Sequence, residues 1–361
     1  METDVLIIGG GPAGLNAAFE PASNGMNVTI IDESFSFGGQ LRSQTQYFDH
    51  LPRPFNRERG TNLSRKLIDR LLPFDVDFLP QHTFVGKYKD GTIGVSHKNE
   101  VIPINAKKVI IATGAAEEAI MFPGWTLPGV MTIGAAQILM NRDRVMPGKD
   151  AIIVGSNEFA FDVVQQLKDV GANVHGIVES DSQMRLQNSQ KIEAFKNLGI
   201  PLYVNASITE AQGKGKVEKV FLGRNGEKIN LDVDLICIAG GLMSILEPFE
   251  IMDCKLVYNQ ALGGWIPEYD KHFETSNQST YVAGNAAGIT SIGGILTTGE
   301  LTGVSVMASL GVLKSEEAAE RKRDLWHQLY QIEGIQRPDT YHARLAAIKD
   351  FNTSKDRTLT K

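Results

Sequence analysis

Only two cysteines occur in the 361 residues, Cys237 and Cys254, and they lie far from any Cys-x-x-Cys spacing. That excludes a redox disulfide of the usual motif and an iron–sulfur cluster held within the chain. Cys237, inside Leu235-Ile236-Cys237-Ile238-Ala239, reads as a small hydrophobe in a strand. No charge-free apolar run approaches a membrane-spanning length. The first apolar run begins a few residues after Met1 and leaves no room for a signal peptide, so the expectation is a cytoplasmic protein without a membrane span. Basic residues are outnumbered, 36 Lys and Arg against 42 Asp and Glu for a net charge of −6, and no basic cluster is interleaved with aromatics. Nucleic acid is therefore excluded as a partner. None of the seven histidines stands with a serine, cysteine or acid at a recognisable catalytic spacing, and no metal site is expected.

What the chain does hold is patterned glycine. Val5-Leu6-Ile7-Ile8-Gly9-Gly10-Gly11-Pro12-Ala13-Gly14 carries an apolar strand into G-x-G-x-x-G, and Asn27-Val28-Thr29-Ile30-Ile31-Asp32-Glu33 follows at the distance a βαβ unit needs. Gly9 makes the tight turn, Gly11 lets backbone approach a pyrophosphate, and Gly14 lets the helix pack close to the strand. Asp32, with Glu33 beside it, ends the second strand where a carboxylate can accept from adenosine ribose hydroxyls. Two further stretches follow the same logic of small residues after a short strand. One is Lys107-Lys108-Val109-Ile110-Ile111-Ala112-Thr113-Gly114; the other is Thr280-Tyr281-Val282-Ala283-Gly284-Asn285-Ala286-Ala287-Gly288, followed by Gly293-Gly294-Ile295 and a small-residue helix to about Leu310. In this order the three resemble the FAD-binding motifs of the two-dinucleotide-domain flavoproteins, the class of thioredoxin reductase and glutathione reductase. The resemblance implies an FAD site with Gly9, Gly11, Pro12, Ala13, Gly14, Asp32, Glu33, Ala112, Thr113, Gly114, Gly284, Asn285 and Ile295. Asn285 stands where that class usually places an Asp; an amide can make the same contacts.

A second, worn nucleotide unit lies further on. Asp150-Ala151-Ile152-Ile153-Val154-Gly155-Ser156-Asn157-Glu158-Phe159-Ala160 reads as strand, turn and helix to about Val170, and Ala172 to Glu179 supplies the next strand with a terminal acid. Asn157 replaces the central glycine and puts a side chain where a pyrophosphate needs bare backbone. Glu179 disfavours a 2′-phosphate, with no evident Arg to separate the two charges. Residues Gly155, Asn157, Glu158 and Glu179 thus mark either a site for NAD(H) or an adenine nucleotide such as ATP, or a βαβ scaffold that has lost its ligand.

The fold class expected is α/β, with two Rossmann-like dinucleotide-binding domains. Residues 1–115 and 234–312 form a discontinuous FAD domain, 116–233 an inserted nucleotide domain, and 313–361 a helical C-terminal tail. Pro123-Gly124, Pro128-Gly129 and Pro147-Gly148 punctuate the crossing. The charged run from Ser315 to Gln331, with Trp326, Leu329 and Tyr330, and a short helical stretch from Pro338 to about Phe351, read equally as a helix folded back on the domains or a docking arm for another subunit.

Phe37-Gly38-Gly39-Gln40-Leu41, Gln44-Thr45-Gln46-Tyr47-Phe48, Phe122-Pro123-Gly124-Trp125-Thr126-Leu127-Pro128-Gly129-Val130-Met131-Thr132 and Leu262-Gly263-Gly264-Trp265-Ile266-Pro267 narrow this further. They resemble the FAD- and nucleotide-binding alpha-type subunits of hetero-oligomeric amine and amino-acid dehydrogenases, a group with sarcosine oxidase, dye-linked proline and hydroxyproline dehydrogenases, opine oxidase and hydrogen cyanide synthase. The resemblance runs from Val5 to about Gly311 and implies a partner flavoprotein subunit that oxidises the C–N bond. Several relatives carry a cysteine cluster for a [2Fe–2S] centre; any such cluster here must sit on a separate small iron–sulfur subunit or be absent. Gly39, Gln40 and Leu41 join the expected FAD site, and Gln40, Arg42, Gln44 and Thr45 are candidates to line the isoalloxazine, where hydride transfer asks for placement rather than an acid–base dyad. Ile133-Gly134-Ala135-Ala136-Gln137, where thioredoxin reductase has its redox cysteines, offers no thiol. Two other readings remain, a stand-alone NAD(P)H-dependent flavin or ferredoxin reductase and a non-catalytic nucleotide-binding scaffold subunit.

Overall fold

The computed structural model describes residues 1–186 and 189–359, without the side chains of 189–190 and 354–359. Strand β1 (Glu2–Ile8) is paired in parallel on both sides, Val5–Ile8 lying against Val28–Ile31 of β2 (Val28–Asp32) and against residues 108–111 further along. Strands covered on both faces read as continuous apolar runs, which is why Val5, Leu6 and Ile7 stand together and are fully buried. Helix α1 (Pro12–Ser23) joins the two strands, with proline in its first turn where a missing N–H costs nothing. Strand β3 (Val76–Pro80) extends the sheet beyond β2; β4 (Thr83–Lys87), β5 (Ile93–His97) and the long β6 (Glu100–Ile111) form an antiparallel meander. The spatial order is β3-β2-β1-β6-β5-β4.

The chain divides into two compact units, Met1–Ala116 with Met243–Lys361, and Glu117–Leu242. The smaller unit holds a parallel sheet of β7 (Val130–Thr132), β8 (Asp150–Val154), β9 (Asn173–Val178) and β10 (Leu202–Tyr203), with α2 (Glu158–Asp169) between β8 and β9. An antiparallel sheet follows, of β11 (Ala206–Gln212), β12 (Lys219–Arg224) and β13 (Glu227–Asp232). Strand β14 (Leu235–Ile238) then enters the parallel sheet between β7 and β8. The return to the larger unit therefore comes at Met243, not near residue 234, because Ile236 and Cys237 are central-strand residues paired on both sides.

In the larger unit β15 (Thr280–Val282) pairs in parallel with the end of β6, and α3 (Ile292–Ser309) packs on α1. Close approach of those helices depends on Gly299 and Gly303, where a Cβ would stand 2.5 Å from the carbonyl oxygens of Ala13 and Ala17. The tail is a packed layer of this unit. Helix α4 (Ser315–Leu329) buries Ala318, Leu325 and Leu329, and its Arg321 ion-pairs with Glu20 of α1. A π-turn, Tyr330–Gly334, leads to α5 (Pro338–Leu359), which runs beyond the expected end at Phe351 and buries Ile348 and Phe351 in the same unit.

Candidate dinucleotide sites

The first glycine turn is built as its spacing requires. Gly9 has φ +106°, and a Cβ there would sit 2.5 Å from the Ala112 carbonyl oxygen, so only glycine serves. Gly9 donates to Ile31 O at 2.9 Å and Ala112 to Ile8 O at 2.8 Å, which locks the turn between the strand ends. A Cβ at Gly14 would collide with the Gly9 carbonyl oxygen. Gly11 is different: its φ of −76° suits any residue, and a Cβ would meet nothing nearer than the Gly39 Cα at 3.9 Å. Space at Gly11 is open, on the side where a pyrophosphate would lie at the N-terminus of α1. Asp32 accepts from the Gly10 amide at 2.7 Å and the Ser34 amide at 2.8 Å, one to each oxygen, and keeps lone pairs for further donors. Glu33 is exposed beyond it.

The other expected residues converge on this turn. Gly38 donates to Gly10 O at 2.8 Å, and a Cβ at Gly39 would lie 2.9 Å from the Gly11 Cα and 3.5 Å from Pro12 Cδ. Leu41 is fully buried beneath, while Gln40 is exposed and donates through Nε2 to Ala115 O at 3.2 Å. Arg42 folds back on its own turn, donating to Gly39 O and to Ser36 Oγ. At the end of β6 the Thr113 hydroxyl is buried without a protein partner, and Gly114 has open space around it. Gly284 abuts Ala13 and Ile295, and its amide donates to Thr298 Oγ1 at 3.1 Å. Asn285 accepts from the Thr290 amide at 3.0 Å, which holds its Oδ1 and leaves Nδ2 uncommitted.

The second turn repeats the first and then closes it. Gly155 has φ +97° against the Ala239 carbonyl, and donates to Val178 O at 2.8 Å. Asn157, the residue in place of the bare glycine, caps α2 by accepting from Ala160 N at 3.0 Å and donates to Ala239 O at 3.0 Å. Glu179 is 1 % exposed. One oxygen takes the Ser156 amide and hydroxyl, the other the Asp181 amide at 3.1 Å and the Ser180 hydroxyl at 3.2 Å. Burial pushes this carboxyl up, but those bonds and Arg185 outweigh it and hold it below the usual range. An Arg does therefore stand here, contrary to the expectation from sequence: Arg185 lies 3.6 Å from Glu179 and 3.0 Å from Asp181, neutralised by two carboxylates. The Arg185 amide also donates to Ser156 Oγ at 2.9 Å, so the loop after β9 is tied down over the turn. Glu158 is exposed and pairs with Lys191 at 2.9 Å. Of these four residues, Asn157, Glu158 and Glu179 are all bonded to the protein itself.

Residues without a motif matter as much. Tyr269, Glu333 and Arg344, none of them singled out by sequence, meet beneath the turn Gly284–Ala287. One signal was available: Thr340, Arg344, Ile348 and Phe351 share the buried stripe of α5 at helical spacing, so Arg344 occupies a core position. Both cysteines are buried, and burial raises both thiols, so neither is a ready thiolate.

Several known proteins are similar to this one along most of the chain. An opine oxidase subunit of Rhizobium meliloti (strain 1021) is 25% identical over 85% of this chain and 71% of its own length. The alpha subunit of sarcosine oxidase from Corynebacterium sp. (strain P-1) is 26% identical over 86% of this chain, which spans only 33% of that protein. The HcnB subunit of hydrogen cyanide synthase from Pseudomonas protegens is 25% identical over 92% of this chain and 76% of its own length. Among solved structures, L-proline dehydrogenase from P. horikoshii superposes with a TM-score of 0.71 at 24% identity, covering 90% of this chain and 59% of that one. Thioredoxin reductase of T. acidophilum gives 0.71 at 21%, covering 86% and 99%. Those two establish a thioredoxin-reductase-like fold. Among the described residues no helix is long and apolar enough to cross a membrane. Family membership implies FAD and a pyridine nucleotide; nothing supports the ATP alternative. Residues 3–309 match the pyridine nucleotide-disulphide oxidoreductases, and the chain belongs to that family as an FAD-binding, Rossmann-fold oxidoreductase.

Proposed function

We propose that this chain is the FAD-carrying subunit of a hetero-oligomeric amine or amino-acid dehydrogenase or oxidase, whose second flavoprotein subunit oxidises a substrate of proline, hydroxyproline, sarcosine or opine type. The observation that carries this reading is the contrast between the two turns, open at Gly11 and closed at Asn157, in a chain whose relatives are named as subunits. One receptive dinucleotide turn and no cysteine pair do not make a self-contained nicotinamide-driven disulphide reductase. Among the described residues there is no further domain to orient an amine. An iron–sulfur cluster, where the complex has one, would belong to a separate small subunit.

Bound FAD would supply the electron-transfer chemistry. Toward it the chain's residues bind and orient. Gly9, Gly11, Pro12, Ala13 and Gly14 would bring backbone and the α1 N-terminus to the pyrophosphate, and Asp32 would accept from the ribose. The unpartnered Thr113 hydroxyl and the uncommitted Asn285 amide nitrogen are polar groups suited to such a ligand, with Ala112, Gly114, Gly284 and Ile295 giving close approach. Gly39, Gln40 and Leu41 border the same turn. In the smaller unit, NAD(H) is favoured over NADPH, and neither is expected to bind tightly.

Purification tests the reading directly. The chain alone should be yellow with one FAD and should not reduce an artificial dye with proline, hydroxyproline or sarcosine. Activity should appear on adding the partner flavoprotein. Rapid bleaching of the isolated chain by NADH would favour the stand-alone reductase instead, and reduction by an amino acid without a partner would overturn the proposal.

A further inference from the structure

Arg344 and Glu333 are both fully buried, and neither lies in a nucleotide motif. The guanidinium grips the carboxylate with two bonds, Nε to Oε2 at 3.0 Å and Nη2 to Oε1 at 2.9 Å. Its remaining arm, Nη1, donates to Tyr269 Oη and to the carbonyl oxygen of Ala287, each at 2.8 Å. The Tyr269 hydroxyl donates to that same carbonyl at 2.7 Å. Two donors thus converge on the last residue of the turn Gly284–Ala287, the turn that presents Asn285.

The same segment is held from other directions. Ser244 Oγ donates to Asn285 O at 2.8 Å, and Ile289 donates to Leu262 O at 2.9 Å. The π-turn carrying Glu333 also backs the first turn of α3: a Cβ on Gly293 would stand 2.8 Å from the Ile332 side chain. A buried ion pair is poor value for stability alone, since apolar residues of similar volume hold a core as well without the desolvation cost. A planar fork has a more specific use, which is to fix one carbonyl relative to a rigid helix.

We infer that Arg344 and Glu333 are positioning residues for the flavin site, through which the C-terminal helices set the Gly284–Thr290 segment and the start of α3 at the distance FAD requires. The inference rests on the reading of Asn285 and its neighbours as FAD-binding. The tail, on this view, works on cofactor geometry and not only on stability.

Two full-length variants test it. Arg344→Lys keeps the charge but loses the fork, so it cannot hold Glu333 in two bonds and reach Ala287 as well. Glu333→Gln with Arg344→Gln leaves no charge buried alone, and the two amides can bond each other. Each is compared with the wild type at a temperature well below its own unfolding midpoint, by FAD titration of the deflavinated chain and by visible circular dichroism of the bound flavin. Both variants should bind FAD at least tenfold more weakly and alter the dichroism of whatever flavin remains, with Arg344→Lys recovering more than the double variant. A merely structural role would lower the midpoint and leave affinity and dichroism of the folded protein unchanged, and that result overturns the inference. If the wild type itself binds no FAD, the functional reading fails first, and the two failures are distinguishable.

Discussion

Ser156 gives both its amide and its hydroxyl to one oxygen of Glu179, at 3.1 and 2.6 Å. In the first turn each oxygen of Asp32 takes a single amide, from Gly10 and from Ser34, which leaves that carboxylate lone pairs for a ribose. In the second turn the acid that should read a ribose is spent on the protein, with two donors on each oxygen.

Nucleotide preference of the smaller unit follows from this. A 2′-phosphate would meet the Glu179 carboxylate, and Arg185 is already shared between Glu179 and Asp181. Titration calorimetry should find NADPH at least about tenfold weaker than NADH, a difference of ~1.4 kcal/mol or more. Tight NADPH binding would contradict the closed turn and revive the stand-alone reductase.

Gly11 and Gly14 of the first fingerprint should fail in different ways. Gly11→Ala suits the backbone and meets nothing within 3.9 Å, so the unfolding midpoint should barely move while FAD affinity falls, because the new methyl takes pyrophosphate space. Gly11→Glu should empty the site of flavin, since a carboxylate would face the diphosphate. Gly14→Ala drives a methyl into the Gly9 carbonyl and should destabilise the fold itself by roughly 1–3 kcal/mol, as overpacking does. Flavin absorbance and thermal unfolding of the three variants separate the outcomes. A full flavin spectrum in Gly11→Glu would show the site to be elsewhere.

Local motifs made the larger unit legible. Gly9, Gly14, Asp32, Gly284 and Ile295 lie together because each one's role is short-range: a turn with positive φ, a close helix crossing, a strand tip. What stayed hidden is long-range. Leu235–Ile238 looks like any buried strand, and only its pairing with Val130–Thr132 and Asp150–Val154 assigns it to the smaller unit. Arg344 was half hidden for a similar reason: its spacing with Ile348 and Phe351 marks one face of a helix, but its pairing with Glu333, eleven positions back, cannot be read from spacing. Asn157 shows the converse. Sequence flagged its side chain as an obstacle, and its geometry as a helix cap bonded to Ala239 accounts for why a residue unsuited to pyrophosphate is well suited to the fold.

Acid should loosen the smaller unit. Hydrogen bonds and Arg185 hold the Glu179 carboxyl below its usual range, so its contribution is present above the unfolded value of about 4.3 and is lost as pH falls through the folded one. Unfolding midpoints followed by calorimetry from pH 7 to about pH 3 should fall across the acid end, and Glu179→Gln should flatten that part of the profile. At pH 7 the same variant should cost about 1–3 kcal/mol, from buried donors at Ser156 and Asp181 left with a weaker acceptor. An unchanged acid profile in Glu179→Gln would assign the loss to other groups. Glu333 is the first alternative, because burial raises its carboxyl while Arg344 foremost, with Thr290 and Arg337, more than reverses the effect.

Truncation after Lys314 separates the two readings of the tail. A docking arm could be removed with the flavin left in place. The geometry argues against that result, since the cut deletes Arg344 and Glu333 beneath the Ala287 carbonyl and Arg321 against Glu20, and it exposes the apolar surface that Leu325, Leu329, Ile348 and Phe351 now cover. It also strands Tyr269, whose hydroxyl would keep only the Ala287 carbonyl as partner. Loss of four buried side chains of this size amounts to several kcal/mol, at roughly 1.5–3 kcal/mol for each one fully buried. That is a large share of the ~5–15 kcal/mol by which a domain is stable. The truncated chain should therefore lose flavin and unfold at a lower temperature, most visibly in amide exchange of residues 280–309, while the smaller unit, whose own core the cut leaves whole, keeps its exchange protection. Full flavin content with unchanged protection in the shortened chain would restore the docking arm and remove the tail from the cofactor site.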